Sequence, residues 1–277
     1  HERPAARTPR MPFTPVHALA AVPLSRLWSR PGSFSALVIG SMVPDWPLFV
    51  PLGPQYATTH SVSGLFIACL PLGLGIAFFY HVALKQPLYE LLPEPLRARL
   101  ARYLAAPPIG RAETLPVLAA AVLLGSASHI VWDAFTHRGA WGVALVPPLA
   151  DVWVRTGTLD VAGYSVLQLG FSLLGLLLLF LLVVRWYRRA DPVAVAPSPL
   201  ARPLRVSWVL LFLLVPAALL GDMLIEAFRV VSLQELRAVL YLGVTRAGFA
   251  LLLLLVAYAL YFAVAGKHRT AAASASR

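Results

Sequence analysis

The stretch LPVLAAAVLLGSASHIVWDAF, residues 115–135, is apolar until it reaches His129 and Asp133. Its length matches the ~20 apolar residues that a helix needs to cross the hydrocarbon core of a bilayer. An ionisable side chain at membrane depth is costly unless it has a partner. This stretch therefore predicts a membrane-spanning helix that carries a polar site near one end.

Similar apolar stretches recur along the chain, at residues 61–81, 162–184, 206–228 and 239–266. A sixth stretch, 34–51, is shorter and is interrupted by Pro44, Asp45 and Pro47. The whole chain is 59% hydrophobic and only 13% charged, with a mean hydropathy of +0.74, which is too apolar for a water-soluble surface. We expect an all-α fold, a polytopic helical membrane protein with five to six transmembrane helices.

The net charge of +11 is unevenly distributed between the connections. Basic residues cluster in 82–114, in 185–205 and after 266, whereas 136–161 and 229–238 are nearly balanced. This alternation follows the positive-inside rule, so the basic connections should be cytoplasmic. The pattern predicts a multi-pass protein of the bacterial inner (plasma) membrane, in contact with membrane lipid, and no nucleic-acid partner.

The chain divides into four regions by composition. Residues 1–10 are polar and predict a disordered extension, without a cleavable signal peptide. Residues 11–161 hold most of the histidines and predict a metal-site membrane domain with an N-terminal hairpin. Residues 162–266 are leucine-rich and predict transmembrane anchoring and packing helices, and 267–277 predict a disordered tail.

The spacing of polar residues within SHIVWDAFTHRG, 128–139, indicates a shared helix face. His129, Asp133 and His137 are four residues apart, so on a helix each step turns the side chain by only about 40°. His60 opens the 61–81 stretch. If the connection 82–114 is cytoplasmic, His60 and the face of His129 both lie on the outer side. Topology therefore predicts that two distant parts of the chain deliver ligands to one membrane depth.

His17 fits this arrangement in only one of two topologies. If the sixth apolar stretch crosses the membrane, His17 stays on the cytoplasmic side, which the basic Arg26 and Arg30 favour. If 12–28 and 34–44 instead form a re-entrant or interfacial hairpin on the outer side, His17 can reach the other histidines. Irregular backbone at membrane depth is tolerated where protein or a wet cavity covers it. We favour the hairpin because it assembles the site.

Imidazole and carboxylate are ordinary ligands of Zn²⁺, and mixed His/Asp sets also suit Mn²⁺ or Fe²⁺. A carboxylate between two metals can bridge them, and a metal pair can clamp a phosphoryl group. One boundary histidine alone would indicate an interfacial hydrogen bond, and Asp133 alone could pair with Arg138. Together the residues favour a divalent metal cofactor, one or two ions, with zinc preferred over manganese or iron.

Several blocks of the chain resemble a bacterial multi-pass membrane family of unknown function. The blocks are MPFTPVHALAAVPL from Met11, SALVIGSMVPDWPLF, TTHSVSGLF and SHIVWDAFTHRG. They correspond to that family's MPFTxxH, PD, THS and SHxxWDxFTH elements. The family is in turn distantly similar to LexA-regulated inner-membrane metal-dependent hydrolases, which usually have a second acidic residue and a histidine after PD; here PDWP lacks both.

The order His, Asp, His, His-x-x-x-Asp is also similar to that of the zinc-dependent phospholipase C superfamily. By position, this resemblance implies as metal ligands His17, Asp45, His60, His129 and Asp133, with His137 a ligand to another metal. It also implies catalytic roles for Asp133 and Asp45. A later His-x-x-x-Glu pair is missing, since no histidine occurs between 137 and 268, so we expect at most two metals.

Three functions remain open from the sequence. The first is a membrane-embedded metal-dependent hydrolase, acting on a phosphoester or another small-molecule or lipid-derived substrate at the outer face of the inner membrane. The second is a non-catalytic integral membrane protein with a structural or sensing metal site. The third is a small-solute or ion transporter that uses Asp222, Glu226 and Arg246.

Overall fold

The computed structural model describes residues 14–27, 30–50, 53–105, 107, 111–156, 159–227 and 233–275. The helices within these residues are α1 (Ala21–Leu27), α2 (Ser33–Met42), α3 (Trp46–Phe49), α4 (Tyr56–Thr59), α5 (Val62–Leu91), α6 (Glu94–Leu100), α7 (Thr114–Thr136), α8 (Trp141–Leu145), α9 (Gly163–Arg189), α10 (Arg202–Ala227) and α11 (Leu233–Ala275). Short 3₁₀ helices cover Thr14–Ala20, Val43–Asp45, Ala101–Tyr103 and Pro147–Ala150. Strands β1 (Val152–Thr156) and β2 (Leu159–Ala162) form one antiparallel hairpin.

Five helices of the described chain, α5, α7, α9, α10 and α11, are long and apolar enough to cross a membrane. They coincide with the five long apolar stretches of the sequence, so the prediction of an all-α membrane protein is confirmed. The sixth stretch is not a continuous helix. α2 ends at Met42, a 3₁₀ turn follows, and α3 ends at Phe49.

Two π-helical turns interrupt α5, and a proline lies just after each. The turns cover Leu65–Cys69 and Tyr80–Leu84, and the prolines are Pro71 and Pro87. A proline has no N–H to donate, and its ring clashes with the carbonyl four residues back, which here lies within the π turn. The wider turns let the helix pass each proline as one continuous span.

The N-terminal segment forms a hairpin with α2. Thr14 contacts Asp45, at the far end of α2, through a hydrogen bond of 2.7 Å from its Oγ1 to the Oδ2 of Asp45. Farther along, Ala21 packs against Ala36 and Leu37. The chain therefore doubles back between these segments, in the arrangement that brings His17 to the same end of α2 as Asp45.

α2 and α7 pack very closely where they cross, because each helix has a glycine that faces the backbone of the other. A Cβ on Gly40 would meet the backbone of Val122, and a Cβ on Gly125 would meet the backbone of Leu37 and Ser41. Ser126 Oγ, fully buried, donates to the Gly40 carbonyl at 2.9 Å. Small residues at a helix interface allow this close packing, which a membrane protein uses in place of the hydrophobic effect.

Arginines link the connections at the other end of the spans. Arg97 in α6 is buried, 3.3 Å from Glu90 Oε2, and donates from Nη2 to the Ala196 carbonyl at 2.7 Å. Arg102 donates to the Asp191 carbonyl. The Pro-rich connection between α9 and α10 has no helix, but these bonds fix it against α6.

The two ends of the chain differ from each other. Residues 1–10 lie outside the described part, so the extension expected there stays a prediction. α11 runs to Ala275, so the backbone is helical over 267–275, where we expected a disordered tail. Alanine has the highest helix propensity, and the alanine-rich sequence after Thr270 lets the last span continue as helix.

We expect Gly125→Val to lower the thermal unfolding midpoint of the purified protein in detergent. The added side chain must push α2 away from α7, at a cost of about 1–3 kcal/mol typical of overpacking. Gly75→Val in α5 is the control, because a Cβ on Gly75 meets open space. Equal midpoints for the two variants would contradict the packing described here.

Candidate metal centre

Four side chains from three parts of the chain meet in a buried position between the end of α2 and α7. Asp45 is the last residue of the 3₁₀ turn after α2, where Pro44 helps to end the helix. His60 directly follows α4 and lies two residues before the first residue of α5. His129 and Asp133 lie one turn apart on α7, so their side chains project from one face.

The ligand atoms of these residues are spaced as the corners of a metal site would be. His129 Nε2 lies 3.2 Å from Asp133 Oδ2 and 3.5 Å from Asp45 Oδ1. His60 Nε2 lies 3.6 Å from each of the same two oxygens. Metal bonds of about 2.0–2.2 Å in tetrahedral geometry separate neighbouring ligand atoms by about 3.3–3.6 Å. All four atoms lie within 4.8 Å of one another, so they can hold one metal ion.

Because these side chains are buried, their arrangement is energetically unfavourable unless a cation is bound. Asp45 and His129 are fully buried, and Asp133 is 5% exposed. Asp45 Oδ1, His60 Nε2, His129 Nε2 and both carboxylate oxygens of Asp133 have no hydrogen-bond partner among the described residues. Buried polar atoms are normally paired, and a buried unpaired carboxylate costs more than a neutral group. Two carboxylates and two neutral imidazoles carry a charge that a divalent cation would balance.

The other polar atoms of three of these side chains are bound to the protein. His129 Nδ1 donates to the Ser41 carbonyl at 2.7 Å, and His60 Nδ1 donates to the Tyr56 carbonyl at 3.0 Å. A proton on Nδ1 leaves the lone pair of Nε2 free to bind a metal. Thr14 Oγ1 holds Asp45 Oδ2, which leaves Oδ1 facing the centre. Protein contacts of this kind orient metal ligands in known sites.

The three groups that orient these ligands, Thr14 and the backbone carbonyls of Ser41 and Tyr56, have no recognisable signal in the sequence. Thr14 lies in the quoted MPFT block, but it attracted no role because a single threonine has no periodic signal. Backbone carbonyls, here those of Ser41 and Tyr56, cannot be identified as partners until the fold is known. Tyr56 also stacks its ring on His60 at 3.8 Å between ring centroids.

His17 lies beside the four-atom centre and is not one of its corners. Its Nε2 is 3.5 Å from Asp133 Oδ1, the oxygen that does not face His60 or His129. Its ring stacks on His129 with 3.8 Å between centroids. Burial lowers the pKa of His17 to about 4, so the imidazole is neutral at neutral pH. His17 and Asp133 Oδ1 thus form a second, smaller set of potential ligand atoms.

His137 is nearby but oriented differently. It follows the end of α7, and its Nδ1 donates to the Asp133 carbonyl at 3.1 Å. That nitrogen is 3.7 Å from Asp133 Oδ1, and the other ring nitrogen lies 3.4 Å from the Gln168 amide nitrogen. The structure therefore brings together His17, Asp45, His60, His129 and Asp133, with His137 at the edge of the cluster.

The charge of Asp45 is favoured by its neighbours. Burial alone would raise the pKa of Asp45, but attraction to the protonated form of His129 outweighs it and holds that pKa well below its usual range; a divalent cation in the centre would take the place of that proton. Asp45 is therefore a carboxylate, as a metal ligand must be.

By contrast, the polar residues of the last two spans, Asp222, Glu226 and Arg246, are exposed and are not part of the four-atom set.

Residues 11–260 match a family described as a domain of unknown function (DUF4184). The match covers most of the chain, so the protein belongs to this family. It extends through α10 and into the last span, farther than the sequence blocks that carry the resemblance. No curated protein and no solved structure matches the chain.

We expect Thr14→Val to weaken metal binding about 10–100-fold, the loss typical of removing a group that orients a metal ligand. The variant removes the hydrogen bond to Asp45 Oδ2 and leaves every ligand atom in place. Thr14→Ser keeps the hydroxyl and should retain wild-type affinity. The measurement is competition with a coloured chelator for Zn²⁺.

Ser25→Ala is a matched control in the same N-terminal segment, because Ser25 Oγ donates to the Val22 carbonyl rather than to the centre. Equal zinc affinity in wild type and Thr14→Val would show that Thr14 does not position Asp45.

Proposed function

We propose that this protein is a membrane-embedded, metal-dependent hydrolase of phosphoesters, at the outer face of a bacterial inner membrane. The observation that carries the proposal is a cavity directly beside the centre. Asp133 supplies one oxygen to the four-atom set, and together with His17 it lines a cavity of about 430 Å³. Ligand cavities of enzymes are typically about 300–1,000 Å³ and contain a few convergent polar groups in mostly apolar walls.

Some of these residues would hold the metal, and others would act on the substrate. Asp45, His60, His129 and Asp133 would hold the metal, and zinc, manganese or iron is compatible with this donor set. When bound, a divalent metal lowers the pKa of water and polarises a phosphoryl oxygen. Asp133 is the residue common to the centre and the cavity, so it would orient the reacting group. His17 keeps Nε2 3.5 Å from Asp133 Oδ1 and would help to hold that carboxylate in place.

The outer location is inferred from charge. The start of α5 and the end of α7 meet at the centre, while the connection between them carries the basic cluster of 82–114. A basic connection is retained in the cytoplasm, which would leave the centre on the opposite side. Substrate would then come from the outer leaflet or from the space beyond it.

A second candidate is a structural or sensing metal site. It is favoured by the number of protein ligands, since four are typical of closed structural zinc sites and three of catalytic ones. The cavity beside Asp133 and the lack of a hydrogen-bond partner for Asp133 Oδ1 among the described residues favour hydrolysis instead, because a closed site needs neither. The two candidates agree on metal binding and differ in turnover.

We expect the metal-loaded protein to hydrolyse bis(p-nitrophenyl) phosphate and Asp133→Ala or His129→Ala to lower kcat/KM by about 100-fold or more. This is the loss expected when a few kcal/mol of transition-state charge stabilisation are removed. His81→Ala is the control, because His81 is a buried histidine of α5 that bonds Ser35 and lies outside the set.

Stoichiometric metal without turnover of any phosphodiester or phosphomonoester in the panel would favour the structural site. Activity that survives in both Asp133→Ala and His129→Ala would contradict the proposed centre.

A further inference from the structure

The cavity that reaches Asp133 runs away from the metal centre between membrane-spanning helices. Its walls are the 3₁₀ segment before α1, the outer half of α7, and α9 from Gln168 to Leu178. Along α9 that distance is about 15 Å at 1.5 Å per residue. α7 and α9 enter the membrane region from opposite directions, and the cavity runs along both. It therefore extends roughly parallel to the spans.

The inner part of the cavity has no charged lining. Asp133 and His17 are its titratable lining residues. Phe171, which meets Trp132 beside Asp133, is followed along α9 by Leu174 and Leu178, about one and two turns away. Trp132 and Phe171 meet edge to face at 4.6 Å between centroids and join α7 to α9. Leu174 and Leu178 are about half or more exposed, so this wall also faces the surroundings of the span. A hydrocarbon chain is the occupant that matches an apolar channel open to a bilayer.

A second apolar cavity, of about 830 Å³, lies between the hairpin, α9 and α11. Gln168 and Ser172 line both cavities, so this face of α9 separates them. The second cavity is lined by Thr14, but none of its lining residues is charged. The first cavity is lined by Asp133 itself. Only the first cavity therefore connects an apolar channel with a group of the centre.

We propose that the substrate is a phosphoester lipid that enters sideways from the bilayer, with one long hydrocarbon chain in the cavity between α7 and α9 and its polar end at Asp133. This inference rests on the proposed function. The chain would follow the direction of the spans, as lipid chains in the bilayer do, so the lipid need not leave the membrane to react. A soluble phosphoester has no chain to fill this cavity and would be a poor substrate.

The chain site can be tested without turnover by photolabelling. The probe is phosphatidylglycerol with a diazirine near the end of one acyl chain, incorporated in vesicles with the metal-loaded full chain. We expect label on residues 128–136 and 171–178, identified by mass spectrometry of peptides. Label found only on 244–255, which line the second cavity, or on no wall of the first, would overturn the inference.

A blocking variant gives the matched comparison. Ser172→Phe adds a ring where both cavities meet, and we expect it to reduce labelling of 128–136 about tenfold. Gly170→Phe adds the same ring on α9 where a Cβ meets open space, and it should label as wild type does. Equal labelling of the two variants would overturn the proposed path of the chain.

Turnover separates this inference from the proposed function. We expect kcat/KM for long-chain phosphatidylglycerol to exceed that for its water-soluble dibutyroyl analogue, and Ser172→Phe to remove the difference. Labelling of the cavity with no turnover of either lipid or of bis(p-nitrophenyl) phosphate would contradict the hydrolase and leave the chain site intact. Equal turnover of both lipids by wild type, without labelling of the cavity, would contradict the chain site and leave the hydrolase intact.

Discussion

Two carboxylates buried among apolar helices are the constraint on which the rest of the structure depends. Asp45 is inaccessible to solvent and Asp133 nearly so, and each has an oxygen without a hydrogen-bond donor among the described residues. Removing such charges from water costs several kcal/mol per ion unless an opposite charge is near. The imidazoles of His60 and His129 present nitrogens to the same point, and a divalent cation there would compensate the whole set.

The packing of the helices follows from holding these groups in place. Gly40 and Gly125 let α2 and α7 approach closely, and this approach puts the Ser41 carbonyl within 2.7 Å of His129 Nδ1. The turn at Pro44 then directs Asp45 toward α7 instead of continuing α2 across the membrane. The hairpin returns Thr14 to Asp45 and His17 to Asp133. Each element near the centre therefore contributes either a ligand atom or a group that orients one.

Much of this was predictable because membrane spans and helix faces have strong local signals. The five spans follow from uninterrupted apolar stretches, and His129 with Asp133 follows from spacing of four residues on a helix. The depth of His60 follows from the alternation of charged connections. Asp45 and His17 came from a resemblance, since a broken stretch around Pro44 permits two topologies that the sequence alone does not separate. Thr14 and the Ser41 carbonyl depend on contacts between distant segments, which have no local pattern. The π turns of α5 are a compromise between two prolines and a continuous span, and the sequence shows only the prolines.

Metal binding is the proposed cause of the clustering, and metal content tests it most directly. Elemental analysis of the purified wild-type protein should find about one transition-metal ion per chain, or two if Asp133 Oδ1 and His17 hold a second, and His60→Ala should lose the ion at the four-atom centre. His81→Ala, purified in the same way, should keep the wild-type content. A correctly folded wild-type protein that binds no transition metal, even after incubation with zinc, manganese or iron, would contradict the account.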